Sequence, residues 1–222
     1  MAFFSKEKEK EKEISIEAPK KDQKKQNKPS SNSLGGTVVS KNIKMEGNIS
    51  GTDSITIEGT IIGDITVNNV VIGKNGSVTG SITAQKVIIS GNVTGSVTCN
   101  DLDIMHHGYV TDKIHANKIS LSGEIAGDVL AETAINITPT GKIKTNSLVS
   151  KHVTVNGTIE GKVSASELLS VGSNGFVNGE ISVKNIKTEE GGRVIGSMAM
   201  YEAPKVSEKK QETPILDATI ES

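Results

Sequence analysis

The chain has 222 residues, 25 of them basic and 26 acidic, for a formal net charge of -1. Because the charges nearly cancel, the net charge of the chain would not attract nucleic acid, so we expect no nucleic-acid partner. The single cysteine, Cys99, cannot form an intrachain disulfide, and no apolar run is long enough to cross a bilayer. No apolar segment typical of a secretory signal follows the first basic residues. We therefore expect a cytoplasmic protein.

Composition divides the chain into three parts. Residues 1-36 and 201-222 are about 40% charged, against about 17% for residues 37-200, and such polar segments rarely fold alone. All 23 glycines lie between Gly35 and Gly196. The middle is rich in Val, Ile, Thr, Ser and Asn, which favour strands and turns. The sequence predicts a disordered N-terminal tail (1-36), one folded domain (37-200) and a disordered C-terminal tail (201-222).

The middle of the chain is an internal repeat of nine segments, each beginning at a glycine. Two positions after that glycine the residue is always Ile or Val: Ile61, Val78, Val93, Val110, Ile125, Ile143, Ile159, Val177 and Val194. Four positions after, seven of nine residues are glycine, with Asp112 and Thr145 as exceptions. Six positions after, eight of nine are apolar, with Ser147 as the exception. The repeat averages about 16.6 residues, a period typical of stacked repeat architectures.

A second pair of apolar residues, two positions apart, lies between successive anchor glycines, as in Val70 and Ile72 or Val87 and Ile89. Alternation at period two predicts strands with one buried face. Because one repeat cannot close a core alone, each must stack on its neighbours, strand on equivalent strand. The sequence predicts an all-β, single-stranded parallel β-solenoid of about nine to ten repeats, called rungs below.

A polar position recurs in four consecutive rungs, at Asn68, Gln85, Asn100 and Asn117. Stacked Asn and Gln side chains can hydrogen-bond along the solenoid axis. They can equally be ordinary polar turn residues. Both interpretations stay open at this point.

The two ends of a solenoid expose unpaired backbone groups and inward-facing side chains, which monomeric solenoids usually cover with a cap. The sequence offers no candidate cap, so it predicts end-to-end assembly. Phe176 follows its anchor glycine directly, in a column otherwise mainly small, polar or charged, so alternation points its ring outward. The candidate polymerisation residues are Phe176, Val194, Met198, Met200 and Tyr201 near one end, and Val38, Val39, Ile43 and Met45 near the other.

An aliphatic solenoid of Gly-x-[Ile/Val]-x-Gly-x-[Ile/Val] rungs between charged tails resembles the bactofilins, a family of polymer-forming bacterial cytoskeletal proteins. The resemblance covers about residues 37-200, a core longer than the six or so windings common in that family. It implies a right-handed β-helix of triangular section that assembles without nucleotide into non-polar filaments. It also implies binding at the cytoplasmic face of the inner membrane and a scaffold for cell-wall (peptidoglycan) hydrolases or synthases that influences cell shape.

The first residues fit the membrane-targeting start of that family, which has large apolar residues followed by lysine. Here these are Ala2, Phe3, Phe4 and Lys6. Two aromatic rings beside a cation could insert weakly at a lipid interface, with an effect that accumulates in a polymer. The alternating Lys-Glu run that follows cancels its own charge, and an ordinary unstructured start remains the alternative.

Chemistry of other kinds finds little support in the sequence. Histidines 106, 107, 115 and 152 do not offer the three or four converging ligands of a zinc site. Cys99 shares its column with Val67, Ala84, Ala116 and Ala131, which predicts an inert core residue. The Gly-x-x-x-Gly spacing lacks the Gly-Lys-Ser/Thr of a phosphate-binding loop. We expect no metal, no cofactor, no nucleotide and no catalytic residue.

Three alternatives to a filament remain. A monomeric solenoid spacer could present its tails to partners. Left-handed β-helix acyltransferases are disfavoured because their repeats run in multiples of six. Pectate-lyase-like β-helices are disfavoured because they cluster acidic residues in a groove, which this sequence does not do.

Overall fold

The computed structural model describes residues 36-201 of the chain. These residues form 21 β-strands and no helix. In chain order the strands are β1 (Gly36–Val39), β2 (Lys44–Glu46), β3 (Ile49–Ser50), β4 (Ser54–Ile57), β5 (Thr60–Ile62), β6 (Ile65–Thr66), β7 (Asn69–Ile72), β8 (Ser77–Thr79), β9 (Ile82–Thr83), β10 (Lys86–Ile89), β11 (Asn92–Thr94), β12 (Val97–Ile104), β13 (Tyr109–Thr111), β14 (Ile114–Leu121), β15 (Glu124–Ala126), β16 (Val129–Ile137), β17 (Lys142–Val155), β18 (Thr158–Val171), β19 (Phe176–Val183), β20 (Ile186–Thr188) and β21 (Arg193–Met200).

The strands stack in parallel, each on the equivalent strand of the neighbouring rung. Ile61 of β5, for example, pairs with Met45 of β2 on one side and with Val78 of β8 on the other. Parallel pairing of equivalent strands continues rung by rung from β1 to β21, through ten rungs, with register shifts between β14 and β16, β16 and β17, and β17 and β18. The predicted all-β parallel solenoid of nine to ten rungs is confirmed. The right-handed sense implied by the family resemblance stays a prediction.

Each complete rung has three faces. On the first face two side chains point inward, as Val70 and Ile72 do in β7. On the second face one does, as Val78 does in β8. The third face adds an aliphatic residue and then, in most rungs, a smaller one, as Val97 and Cys99 of β12 show. From β12 onward most strands run around the corners and serve two or three faces, whereas β13, β15 and β20 each serve one.

The inward side chains form one continuous core along the axis. Eight of the nine repeat residues on the second face are at most 1% exposed, namely Ile61, Val78, Val93, Val110, Ile125, Ile143, Ile159 and Val177. Val194, the ninth, lies on the last rung and is only partly buried. On the second face, burial is therefore complete wherever a rung is covered on both sides.

The second repeated glycine forms the corner between the second and third faces, where adjacent rungs nearly touch. Gly95 has a φ of +135°, and a Cβ built on it would lie 2.3 Å from the carbonyl oxygen of Gly80. Only glycine satisfies both conditions without strain. Asp112 stands at this corner in its own rung and also takes a positive φ, of 94°.

The polar corner between the third and first faces shows the axial bonding that the sequence left open. The Asn117 side chain donates a hydrogen bond to the Asn100 side chain at 3.4 Å. Backbone bonds continue the same corner, from the Asn100 amide to Gln85 and from the Gln85 amide to Asn68. Side-chain bonding along the axis therefore joins one pair of the column, and the Asn68 side chain also donates to the Thr52 carbonyl of the preceding rung, on top of a backbone ladder.

Candidate functional site at the ends of the solenoid

The N-terminal end of the solenoid is the outer surface of the first rung. Its strands β1, β2 and β3 pair inward with β4, β5 and β6, and among residues 36-201 no strand covers their other edge. Met45 is 38% exposed, whereas Ile61 directly below it in the same column is fully buried. Ile49 is likewise only partly buried. An edge of unpaired backbone groups therefore surrounds uncovered aliphatic side chains.

The C-terminal end is the outer surface of the last rung, formed by β20 and β21. Met198 and Met200 continue the columns of Ile181 and Val183. Their exposures are 53% and 77%, against 0% and 7% one rung below. Ile186 of β20 is 39% exposed in the column of Leu169. This end presents more uncovered apolar side chain than the N-terminal end does.

The structure separates the nine candidate polymerisation residues into three groups. Met45, Val194, Met198 and Met200 belong to inward columns at the end rungs. Val38, Ile43 and Tyr201 lie on the end rungs outside the core, Val38 being 63% and Ile43 46% exposed. The third group is Val39, which is buried on the first rung, and Phe176, which lies on the penultimate rung.

Val39 and Phe176 are the two candidates that the end surfaces do not expose. Val39 is on the first rung but is 2% exposed, so it belongs to the core. Phe176 is on the penultimate rung, paired with Thr158 on one side and Arg193 on the other. Its ring is half-buried on the outer side of the second face. Phe176 therefore sits beside the C-terminal end, with the last rung between it and any stacked copy.

Sequence reasoning missed Ile49 and Ile186, which also face the ends. Each lies in register with a core residue of the next rung, Ile65 and Leu169 respectively. Extending the repeat columns by one period at each end would have found both, since Ile186 follows Leu169 at the usual spacing.

Charge at the ends is mixed in sign. On the first rung Lys44 forms an ion pair of 2.5 Å with Glu46. On the last rung Lys187 and Arg193 stand near Glu189 and Glu190 in sequence. Because neither end carries charges of one sign only, we expect the apolar columns and the unpaired backbone edge to contribute most to the binding of a partner at each end.

A comparison with protein families identifies the family to which the whole solenoid belongs. A family model described as bactofilin, polymer-forming cytoskeletal, matches residues 37–122 and again residues 116–199. The chain belongs to the bactofilin family. No curated protein and no solved structure matched the sequence. Membership places this chain in a family described as polymer-forming and cytoskeletal, and together with the solenoid fold it supports a role as a cytoskeletal scaffold.

The family model matches twice because the solenoid of this bactofilin is about twice as long as either matched range. The second match begins before the first ends, which a short repeat allows because the family pattern can be laid on it in more than one register. Together the two matches cover the solenoid from β1 to β21.

The remaining reactive side chains of this bactofilin do not converge. Among residues 36-201 no three His, Cys, Asp or Glu side chains are grouped as metal ligands require. His115 lies 3.3 Å from Glu132, and His152 lies 3.1 Å from Glu167, in two separate exposed pairs. The same part of the chain contains no helix that is long and apolar enough to cross a membrane.

Cys99 occupies the small inward position of the third face. It pairs in register with Ala116, which in turn pairs with Ala131. Burial, reinforced by the nearby carboxylates of Asp101 and Asp103, raises the pKa of the Cys99 thiol to about 12. A thiol that stays protonated is a poor nucleophile and a poor metal ligand.

The predicted membrane-targeting residues Ala2, Phe3, Phe4 and Lys6 lie outside the described residues. So do most of the two predicted tails.

Proposed function

We propose that this bactofilin assembles end to end, without nucleotide, into filaments that serve as a scaffold at the cytoplasmic face of the inner membrane. The observation that supports assembly is the exposure of the inward columns at both end rungs. Met198 is 53% exposed where Ile181, one rung below, is fully buried. A second copy stacked on that end would supply the missing rung.

Stacking satisfies two needs of each end at once. The strands β1, β2 and β3 at one end, and β20 and β21 at the other, gain partners for their free backbone groups, which removes an open sheet edge. The apolar columns gain cover, and burying an aliphatic side chain fully contributes about 1.5-3 kcal/mol. Both contributions come from the fold itself, so no bound nucleotide has to drive the contact.

Filament polarity follows from which ends meet. The family resemblance supports contacts of like ends, N-terminal end on N-terminal end and C-terminal end on C-terminal end. Such contacts are isologous, because the same surface patch serves both copies. In this arrangement each protomer has two different interfaces and the filament has no direction.

The cellular role rests on family resemblance and on the start of the chain. Phe3 and Phe4 beside Lys6 would bind the lipid interface weakly in one protomer and more firmly in a filament that carries many copies. The tails would recruit cell-wall hydrolases or synthases, and the filament would place them and so influence cell shape. Catalysis would reside in those partners.

The first test is negative-stain electron microscopy and sedimentation of the purified chain without nucleotide. We expect filaments at micromolar concentration. A species that stays near 23.3 kDa at every concentration would overturn the proposal and favour the monomeric spacer.

End-specific variants test both the surfaces and the polarity. Met45→Arg blocks the N-terminal end and Met198→Arg the C-terminal end, each at a position already exposed in the protomer. Matched controls are Ile62→Arg and Leu130→Arg, which alter outward residues of comparable exposure, 39% and 43%, on interior rungs. We expect the controls to form filaments and the double end variant to be monomeric with an unchanged circular dichroism spectrum.

The single end variants distinguish the two polarities. If like ends meet, each single variant stops at a discrete dimer joined through its intact end. If unlike ends meet, each single variant is monomeric, and a mixture of the two yields dimers. Filaments of normal length from both single variants would show that these ends are not the contact surfaces.

The membrane proposal is tested by flotation with vesicles that mimic an anionic bacterial membrane. The filament should float with the vesicles, and replacing Phe3 and Phe4 by serine should abolish flotation while leaving filaments intact.

The scaffold role is tested by a pull-down with a chain that lacks both tails. If this shortened chain still recovers the same cell-wall enzymes as the full chain, recruitment by the tails is contradicted.

A further inference from the structure

Methionine has an unusual distribution in the solenoid. Residues 36-201 contain four methionines, and three of them, Met45, Met198 and Met200, occupy inward columns. All three are on the first or last rung. The interior rungs fill the same columns with Ile, Val and Leu, or with Val, Ala, Cys and Ser at the smaller position. The fourth, Met105, lies in a turn between β12 and β13 and points away from the core.

The three end methionines are open to solvent in the protomer. Their exposures are 38%, 53% and 77% for Met45, Met198 and Met200. Stacking at an end would cover them, as Ile61 and Ile181 are covered one rung inward. The three methionines are therefore exposed at a free end and would be covered within a filament.

We propose that Met45, Met198 and Met200 are oxidation sites through which a two-electron oxidant such as hydrogen peroxide blocks end-to-end assembly. The inference rests on the proposed function and specifies how those end surfaces are regulated. In the reaction the thioether sulfur attacks one peroxide oxygen, the O–O bond breaks, and the other oxygen leaves as water. The sulfur loses two electrons and becomes a sulfoxide, while the peroxide is reduced.

The sulfoxide changes what an end can do. It turns a flexible apolar side chain into a polar one whose oxygen requires a hydrogen-bond partner. Inside an aliphatic column such as that of Ile181 and Val163 no partner is available, because the neighbouring inward side chains are hydrocarbon. A buried polar group without a partner weakens a contact substantially. Free ends thus stop growing under oxidant, while contacts already formed shield their own methionines. Methionine sulfoxide reductases can reverse the change.

The test compares peroxide treatment before and after assembly. Peptide mass spectrometry should find oxygen added at Met45, Met198 and Met200 in protomers, and far less of it in preformed filaments. Met105 should react in both, since it is 43% exposed on the side of the solenoid. Oxidised protomers should show a critical concentration raised about tenfold or more, and treatment with the two sulfoxide reductases should restore the original value.

Variants separate the end methionines from the others. For each protein the measured quantity is the ratio of critical concentrations with and without peroxide. Met105→Leu should retain the full ratio. Replacing Met45, Met198 and Met200 together by leucine should bring the ratio close to one, whatever the untreated critical concentration of that variant. If this triple variant does not assemble, the single variants Met45→Leu, Met198→Leu and Met200→Leu replace it, and at least one of them should lower the ratio that Met105→Leu retains.

The outcomes distinguish this inference from the proposed function. Untreated wild type that forms no filaments would contradict the proposed function. Wild type that assembles normally both untreated and after complete oxidation of the three methionines would overturn the oxidation inference alone. An undiminished ratio in the triple variant would also overturn it, by assigning the effect to Met105 or Met1.

Discussion

Leu148 pairs in register with Val129 of the preceding rung, and its side chain is fully buried in the third-face column. The register shifts between Thr145 and Leu148, where β17 carries an extra residue relative to β18. Ser147 lies in that bulge, and its amide donates a hydrogen bond to the Thr145 hydroxyl at 3.0 Å. The bulge moves a polar residue out of the column and brings an aliphatic one in.

The bulge predicts opposite results for two neighbouring substitutions. Leu148→Ser should lower the free energy of unfolding by about 2-5 kcal/mol, because it leaves a cavity in a covered rung. Ser147→Leu should change it by about 0.5 kcal/mol or less, because Ser147 is exposed. Urea unfolding, carried out in the Met45→Arg/Met198→Arg background so that assembly does not contribute, measures both values. A large loss from Ser147→Leu would show that Ser147 occupies the column.

The fixed spacing after each anchor glycine explains why the sequence predicted the fold so well. Positions such as Ile61 and Val78 are buried because stacking in parallel register forces equivalent residues into one column. The spacing predicted the wrong inward residue at Ser147. One residue is inserted there and forms a bulge, so Leu148 takes the inward position while the residues on either side keep the usual pattern. The same regularity places Phe176 on the penultimate rung with its ring outward, but it does not show whether an outward ring next to the last rung takes part in an end contact.

The glycine at the corner between the second and third faces predicts that alanine there, but not at every glycine, lowers the free energy of unfolding. Gly95→Ala should destabilise the fold by about 2 kcal/mol or more, because it adds a strained positive φ and a contact of 2.3 Å with a backbone oxygen. Gly51→Ala is the matched control. A Cβ there would meet only Val67, at 3.9 Å, and the backbone φ is ordinary. That variant should be neutral or more stable by up to about 1 kcal/mol. Equal losses from the two variants in urea unfolding would contradict the corner geometry.

The buried thiol predicts resistance to alkylation. Because burial raises the pKa of Cys99 to about 12, the folded protein should react very slowly with iodoacetamide at pH 8, and the urea-unfolded chain should react fully. Mass spectrometry measures the difference. Rapid labelling of the folded protein would mean that Cys99 is exposed or ionised.

The same thiol predicts a change of stability with pH. Unfolding lets Cys99 ionise from about pH 9, the ordinary pKa of a thiol, whereas the folded state, in which burial raises the pKa, keeps the proton until about pH 12. The unfolded state therefore binds fewer protons in this interval, and the contribution of Cys99 to stability is present below pH 9 and is lost between pH 9 and pH 12. Cys99→Ala, which makes the position match Ala116, should show a smaller decline over that interval. Identical pH profiles for wild type and variant would contradict the raised pKa.

Strand partners throughout the solenoid are separated by only 15 to 19 residues, as between Val78 and Val93 or between Val129 and Leu148. A chain leaving the ribosome can therefore close each rung on the one before it as soon as one more repeat has emerged. At every stage the growing fold presents an incomplete end like that of the finished protein, with open columns and an unpaired edge. Folding of the chain and growth of a filament would then both proceed by covering an open rung, first within one molecule and afterwards between molecules.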